Sequence, residues 1–316
     1  MKRSWPAVAG SLALALAIAV ALATVTATAA AAAPAGDGPA GFWYGTDSAT
    51  VPVPGSPPYA MPVIGGSYGG YIGMTGNWAN LAGCQRIVVW SSANSAQANT
   101  NYLTYHRGIG TGVYYFMGGP GVDPHYNGST GEAYSWGQQQ AARALYDASL
   151  ERVTYPVIFM DIEIPGNAPN YTPAPDNGWN TVYTSACSGV VRQSYVPAAV
   201  DRADFNGFWD YIVARSSFKP GVYSAPQVWN SIFGSDSASP GSPGYIPRTD
   251  EWTYWPETAN LSDAPGGWCL RSGECAQFFG GQTSSSPYAI MWQWSGGGGI
   301  RNPYGDFDQI DANRQG

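Results

Sequence analysis

Two acidic residues stand one residue apart at the end of an apolar run. The run is VIFMDIEIPG, residues 157–166, in which Asp161 and Glu163 are followed closely by a Pro-Gly break. Because side chains alternate along a strand, Asp161 and Glu163 leave the same face and lie next to each other. Burying two carboxylates is costly unless they are paired, hydrogen-bonded or protonated, so the pair indicates either a structural network or chemistry.

The chemistry that two neighbouring carboxyl groups support is the acid–base cleavage of a glycosidic bond. That reaction needs one carboxylic acid that stays protonated near neutral pH and a second, ionised carboxylate that faces the cationic sugar. Two acids on one strand face repel each other, so the pKa of one member rises. Glu163 has the longer side chain and is expected nearer the cleft mouth, which favours it as the proton donor and Asp161 as the anion.

The scaffold that positions these acids is predicted from strand-like runs that alternate with helix-like segments. Such alternation indicates a parallel sheet, either closed as a barrel or doubly wound. The length and the absence of a linker favour a single-domain, TIM-like (β/α) barrel over residues 34–316, irregular at its end. The predicted strands are 41–48, 86–90, 112–118, 156–163, 221–225, 251–255, 289–294 and 308–313, and the predicted helices are 94–107, 134–153, 201–216 and 226–233.

Further acids and aromatic residues fall near the carboxyl ends of the predicted strands. Functional side chains of α/β barrels come from those ends, and Asp47, Asp161, Glu163 and Asp311 are placed there. With 13 Trp and 21 Tyr, the chain has more aromatic surface than a core needs. Aromatic faces stack on sugar rings, although the same residues also fill barrel cores. The residues expected to bind sugar are Tyr114, Tyr223, Trp252, Trp292 and Trp294.

The N-terminal segment has the pattern of a secretory signal. Two basic residues precede a long apolar stretch and Ala-rich steps, so we predict a signal peptide over residues 1–33, cut between Ala29 and Pro34. An uncleaved membrane anchor is the alternative. Without Lys2 and Arg3, 12 basic residues (14 minus 2) face 21 acidic ones, a net charge of −9 that disfavours nucleic-acid binding. We therefore expect a secreted protein, free of stable membrane association after cleavage and possibly attached to the cell wall.

The four cysteines favour disulfide bonds. An even number in an exported chain indicates two bridges, and we predict Cys269 with Cys275 and Cys84 with Cys187. Their spacing matches no zinc pattern. We expect no metal and no cofactor.

Two other motifs offer alternative functional sites. GGSYG, residues 65–69, fits the nucleophile elbow of serine hydrolases, but no histidine follows His125 to complete the usual triad order. The acids of GDFDQID, residues 305–311, could bind calcium but lack the continuation of an EF-hand loop. Both motifs are weaker indications than the acidic pair.

Five motifs resemble, in the same order, the strand motifs of glycoside hydrolase family 25 lysozymes and of related glycoside-hydrolase-like domains in secreted bacterial proteins. They are GVYYF, PVIFMDIE, GVYSAPQVW, IMWQW and DQIDAN, within a region from residue 41 to the C-terminus. The resemblance implies an irregular eight-stranded (β/α) barrel and a cleft for peptidoglycan glycan. It also implies that Glu163 donates the proton while Asp161, Asp47 and an acid of the last strand support the cationic transition state. We assign that last acid to Asp311, with Asp308 as the alternative.

The sequence therefore predicts a secreted, monomeric, lysozyme-like glycoside hydrolase acting on peptidoglycan or a related glycan. Two alternatives use the same barrel. One is a module that binds cell-wall glycan without cutting it, and the other is an inert scaffold whose acids brace the strands. A fold alone does not determine function, so the choice among these three depends on the geometry and chemistry of the site.

Overall fold

The computed structural model describes the chain in segments. They are residues 42–48, 68–81, 110–151, 153, 155–164, 177–180, 187, 195–234, 250–254, 291–295 and 306–311. Within these residues the strands are β1 Phe42–Ser48, β2 Tyr68–Asn77, β3 Gly110–Phe116, β4 Val157–Asp161, β5 Lys219–Ser224, β6 Asp250–Tyr254, β7 Met291–Ser295 and β8 Asp306–Asp311. The helices are α1 Thr130–Ser149, α2 Ala198–Arg215 and α3 Pro226–Phe233, with short 3-10 turns at Trp78–Leu81 and Pro120–Val122.

The strands form one sheet in chain order. From β1 to β7 every neighbouring pair is parallel. The last strand, β8, is antiparallel to both β7 and β1, and its pairing with β1 closes the sheet. The prediction of a mixed α/β fold with a parallel sheet is confirmed, and the reversed β8 is the irregularity at its end.

One strand was missed in the sequence. β2 contains four glycines among its ten residues, YGGYIGMTGN, and glycine disfavours strand interiors. Packing explains at least one of them, because a Cβ atom on Gly76 would lie 2.8 Å from the Asp147 carboxylate. The nucleophile-elbow motif thus runs into this strand, which begins at Tyr68. The strand predicted at 86–90 and the helix predicted at 94–107 lie outside the described residues.

The three described helices follow β3, β4 and β5 and agree with their sequence predictions. At the start of α1, the Ser129 hydroxyl accepts a hydrogen bond from the Glu132 backbone N–H at 3.1 Å, which caps the helix. Pro226 starts α3, where a missing N–H costs nothing. Among the described residues, no helix is long and apolar enough to cross a membrane.

Apolar layers lie on both faces of the sheet. All five residues of β4 are buried. Val157 and Phe159 pack against aromatic residues of neighbouring strands, while Ile158 and Met160 pack with the helices. Because residues alternate, Asp161 shares the face of Val157 and Phe159 and lies at the carboxyl end of the inner layer.

Two glycines let α1 and α2 approach closely. A Cβ atom on Gly137 would lie 1.9 Å from the carbonyl oxygen of Asp204, and one on Gly207 would lie 2.0 Å from that of Tyr134. These distances are far below van der Waals contact. The two helices are therefore in backbone contact at reciprocal positions, which we call the glycine contact.

Buried acids on α2 lie near this contact. Asp201 and Asp204 are fully buried. Burial, then repulsion from Asp204, raises the pKa of Asp201 well above its usual range. Burial, then repulsion from Asp123, likewise raises the pKa of Asp204, although Gln140 donates a hydrogen bond to it at 3.2 Å. In the folded protein these carboxyl groups hold protons to higher pH than in the unfolded chain.

These raised pKa values predict that stability falls as the pH rises. Both groups ionise in the unfolded chain near the ordinary value of 3.8, so between that value and their folded pKa the unfolded state binds fewer protons and the free energy of unfolding decreases. Asp204→Asn should raise the melting temperature at pH 7 by about 2–4 °C for each kcal/mol gained, with a smaller gain near pH 4. The new amide oxygen still accepts the bond from Gln140.

The matched control is Asp210→Asn, which removes the same charge from an exposed position on α2 where Tyr134 donates a hydrogen bond at 2.9 Å. It should leave the pH dependence of the melting temperature as in the wild type. Thermal unfolding of the three proteins at several pH values measures this. Equal gains for Asp204→Asn at both ends of the pH range would contradict the explanation.

Candidate active site

The acidic pair lies where β4 ends, but only Asp161 belongs to the strand. Glu163, which the sequence placed on the same strand, lies two residues beyond it. Asp161 is the last residue of the strand and is 6% exposed, while Glu163 is half-buried. Burial, followed by the charge of Glu163, raises the pKa of Asp161 well above its usual range. The two neighbouring carboxyl groups therefore tend to retain a proton between them.

Backbone hydrogen bonds hold the turn that carries the pair. The Asp161 carbonyl accepts from the Met117 N–H at 3.0 Å, and the Ile162 N–H donates to the Tyr223 carbonyl at 3.0 Å. The Ser224 hydroxyl donates to the Ile162 carbonyl at 2.8 Å. Neighbouring strands on both sides thus fix the direction in which the two acids leave β4.

A separate segment, residues 177–180, clamps the turn from outside the sheet. The Asn177 side-chain amide donates to the Glu163 carbonyl. The segment is itself held where the N–H groups of Gly119 and Gly121 donate to the carbonyls of Asn177 and Gly178 at 2.6 and 2.8 Å. A Cβ atom on Gly119 would lie 2.6 Å from the Trp179 backbone, so only glycine permits this approach. Nothing in the local sequence pointed to Asn177.

A third acid, Asp47 on β1, is hydrogen-bonded to side chains of other strands. It is buried near the end of β1, where its Oδ2 atom accepts a hydrogen bond from Gln293 Nε2 of β7 at 2.9 Å. The Gln293 Oε1 atom in turn accepts from the Tyr223 hydroxyl of β5. Asp47, Gln293 and Tyr223 therefore form one hydrogen-bonded chain across three strands, which we call the amide bridge. Sequence reasoning included Asp47 and Tyr223 but missed Gln293.

The direction of β8 corrects the position expected for Asp311. Its backbone lies opposite Phe42, the first residue of β1, so it is at the end of the barrel remote from Asp47. Because β8 is antiparallel, its beginning reaches the site instead. Asp306 lies opposite Asp47, and Asp308 lies opposite both Gly45 and Gln293. The last strand thus brings Asp306 and Asp308, rather than Asp311, to the level of the site.

Burial also corrects the expected sugar platform. Trp252 and Trp292 are 1% and 0% exposed, so their rings have no face open to a sugar. Trp252 instead packs against Tyr223, with ring centroids 4.5 Å apart, and against Tyr114 at 5.8 Å. Tyr114 and Tyr223 are themselves buried, and the side chain of Trp294 is outside the described part of the structure. The described aromatic residues of the expected platform are core residues.

Few of the residues in the metal and disulfide predictions belong to the described part of the structure. In the part of the chain that the structure describes, no group of three or more His, Cys, Asp or Glu side chains is arranged to hold a metal ion. Cys187 is described, whereas Cys84, Cys269 and Cys275 lie outside the described residues, as does the signal segment 1–33. The disulfide pairing and the signal peptide stay predictions.

No family model and no curated protein matches the sequence. Among solved structures, the chain is similar to the bacterial lysozyme of Streptomyces coelicolor, with 16% identity, 84% of this chain and 90% of that chain covered, and a TM-score of 0.42. A family GH25 lysozyme from Aspergillus fumigatus has 15% identity, coverage of 85% and 93%, and a TM-score of 0.43. The spore cortex lytic enzyme SleM of Clostridium perfringens has 10% identity, coverage of 87% and 69%, and a TM-score of 0.46. At these identities and scores, the function has to be argued from the site itself.

Proposed function

We propose that the protein is a secreted glycoside hydrolase that cuts a cell-wall glycan of the peptidoglycan type by carboxylate acid–base catalysis. The observation that carries this is the Asp161–Glu163 pair at the carboxyl end of β4, in which burial and mutual repulsion retain a proton. The sequence motifs that resemble family 25 lysozymes suggest the substrate class. Neither metal nor cofactor enters this chemistry.

The catalytic role that we assign to each acid follows from its solvent exposure. Glu163 is half-buried and reaches the surface, so it is the member that delivers the proton of the pair to the leaving oxygen of the glycosidic bond. Asp161 lies deeper and raises the proton affinity of the pair. Asp47, which an amide N–H holds in place at 2.9 Å, is the further carboxyl group that would support the cationic sugar.

A glycan-binding module without hydrolysis is the second candidate. It is favoured by the low exposure of Asp161 and Asp47, 6% and 5%, because carboxyl groups with so little accessible surface have limited contact with a sugar. In that case the acids would brace the barrel and Glu163 would hydrogen-bond to sugar hydroxyl groups. Binding without cleavage separates this candidate from the hydrolase.

The deciding experiment measures cleavage and binding on the same material. Purified peptidoglycan and chitin are incubated with the protein from mildly acidic to neutral pH, reducing ends are quantified, and bound protein is measured by co-sedimentation. We expect reducing ends from peptidoglycan and none above background from chitin. Protein that co-sediments but releases no reducing ends at any of these pH values would establish the binding module instead.

A further inference from the structure

We propose that Gln293 is a positioning residue that orients the Asp47 carboxylate and links it to Tyr223. This inference rests on the proposed function for its catalytic meaning, but the geometry that supports it does not. Gln293 is 3% exposed and lies in β7, between the strands that carry its two partners in the closed sheet. Asp47 and Gln293 are 246 positions apart in the chain, so the contact depends on closure of the barrel.

The two hydrogen bonds of Gln293 determine which way its amide points. Its Oε1 atom accepts from the Tyr223 hydroxyl, which leaves Nε2 to donate to Asp47 Oδ2 at 2.9 Å. An amide nitrogen can only donate, so the Asp47 oxygen that it contacts must accept. Rotating the amide by half a turn would require Tyr223 to accept and Asp47 to carry a proton. In this arrangement the Nε2–H group of Gln293 favours the ionised form of Asp47, because a carboxylate accepts a stronger hydrogen bond than a protonated carboxyl group.

The position of Asp47 in the sheet shows what the uncharged Gln293 amide contributes. Its backbone neighbours are Ile72 on β2 and Asp306 on β8, and Asp308 lies opposite Gln293. Burial disfavours a negative charge at Asp47, whereas an N–H donor favours that charge without adding a counter-charge. The hydrogen bond from Gln293 thus opposes the effect of burial on the Asp47 carboxyl group.

The test measures the titration of Asp47 directly and does not require turnover. The carboxyl carbon of Asp47, assigned by its loss in Asp47→Asn, is followed by carbon-13 NMR against pH in the wild type and in Gln293→Met, which removes the amide but keeps the length. We expect the midpoint of the Asp47 titration to lie about one pH unit higher in Gln293→Met than in the wild type. Gln293→Glu, which adds a carboxyl group beside Asp47, should move it further in the same direction.

Two further variants make the result specific. Tyr223→Phe removes the hydroxyl that orients the amide and leaves the bond to Asp47 possible, so the midpoint should move upward by less than in Gln293→Met. It also carries the test if Gln293→Met does not fold. Gln139→Glu adds a carboxyl group on α1, where Gln139 is half-buried and donates to the Ser135 carbonyl, and should leave the midpoint of Asp47 unchanged.

The outcomes distinguish this inference from the proposed function. An unchanged Asp47 midpoint in both Gln293→Met and Tyr223→Phe would overturn the positioning role, even if the wild type cuts peptidoglycan. A shifted midpoint in a wild type that releases no reducing ends would support the positioning role and refute only the hydrolase. If both hold, the acid limb of the pH–activity profile should move with the NMR midpoint in each variant.

Discussion

Glu163→Gln is expected to lower the rate of reducing-end release by about 10²–10⁴-fold, because it removes the side chain that we propose delivers the proton. Glutamine keeps the shape and a hydrogen-bonding group, so glycan binding should be nearly unchanged. The turn should stay in place, since Asn177 holds the backbone carbonyl of residue 163 and not its side chain. Removing one charge of a repelling pair should leave the melting temperature unchanged or slightly higher.

The matched control is Glu132→Gln, the same chemical change at a half-buried position on α1. Its rate should equal that of the wild type. Rates come from reducing-end assays and melting temperatures from circular dichroism. A Glu163→Gln protein that loses several degrees in melting temperature, with no selective loss of rate, would show that the acids brace the barrel, because breaking a satisfied buried network leaves partners unpaired.

Gly207→Ala is expected to destabilise the protein although alanine is the better helix former. The added methyl group would lie 2.0 Å from the Tyr134 carbonyl oxygen, and both atoms belong to helix positions that cannot rotate away. The helices must separate, which costs about 1–3 kcal/mol or more and outweighs a propensity gain of about 1 kcal/mol. Urea unfolding monitored by circular dichroism measures the loss.

Gly131→Ala is the control for helix propensity. It lies in the first turn of α1, is exposed, and has no atom within 4 Å of the position of an added Cβ. We expect a stability equal to the wild type or higher by up to about 1 kcal/mol. If Gly207→Ala were as stable as Gly131→Ala, the close glycine contact would not exist in solution.

The sequence predicted the strands and helices whose formation depends mainly on their own residues. The apolar run ending in Asp161 is β4, and PQVWNSIF coincides with α3, whose first residue is proline. The sequence did not predict β2 because glycine disfavours strands, and at least one of its glycines, Gly76, serves close packing against Asp147 of α1. That requirement is set by residues far away in the sequence and leaves no local signal.

The site was predicted in part for the same reason. Asp161 and Glu163 share a strand end, which alternation predicts. The sequence left the last-strand acid open between Asp308 and Asp311, because periodicity reports which face a side chain takes but not which way its strand runs. Gln293 is neutral and stands in an aromatic stretch, so only the closed sheet shows that it reaches Asp47. Composition likewise does not separate core aromatic residues such as Trp252 from surface ones.

The reversed final strand also has a consequence for engineering. Phe42 and Asp311 face each other across the β1–β8 ladder, at the pole opposite Asp47. A short linker between these two neighbouring positions would give a circular permutant whose join lies far from the acids. A tether attached at this pole should leave the opposite end of the sheet, which carries Asp47 and Asp161, facing away from the support.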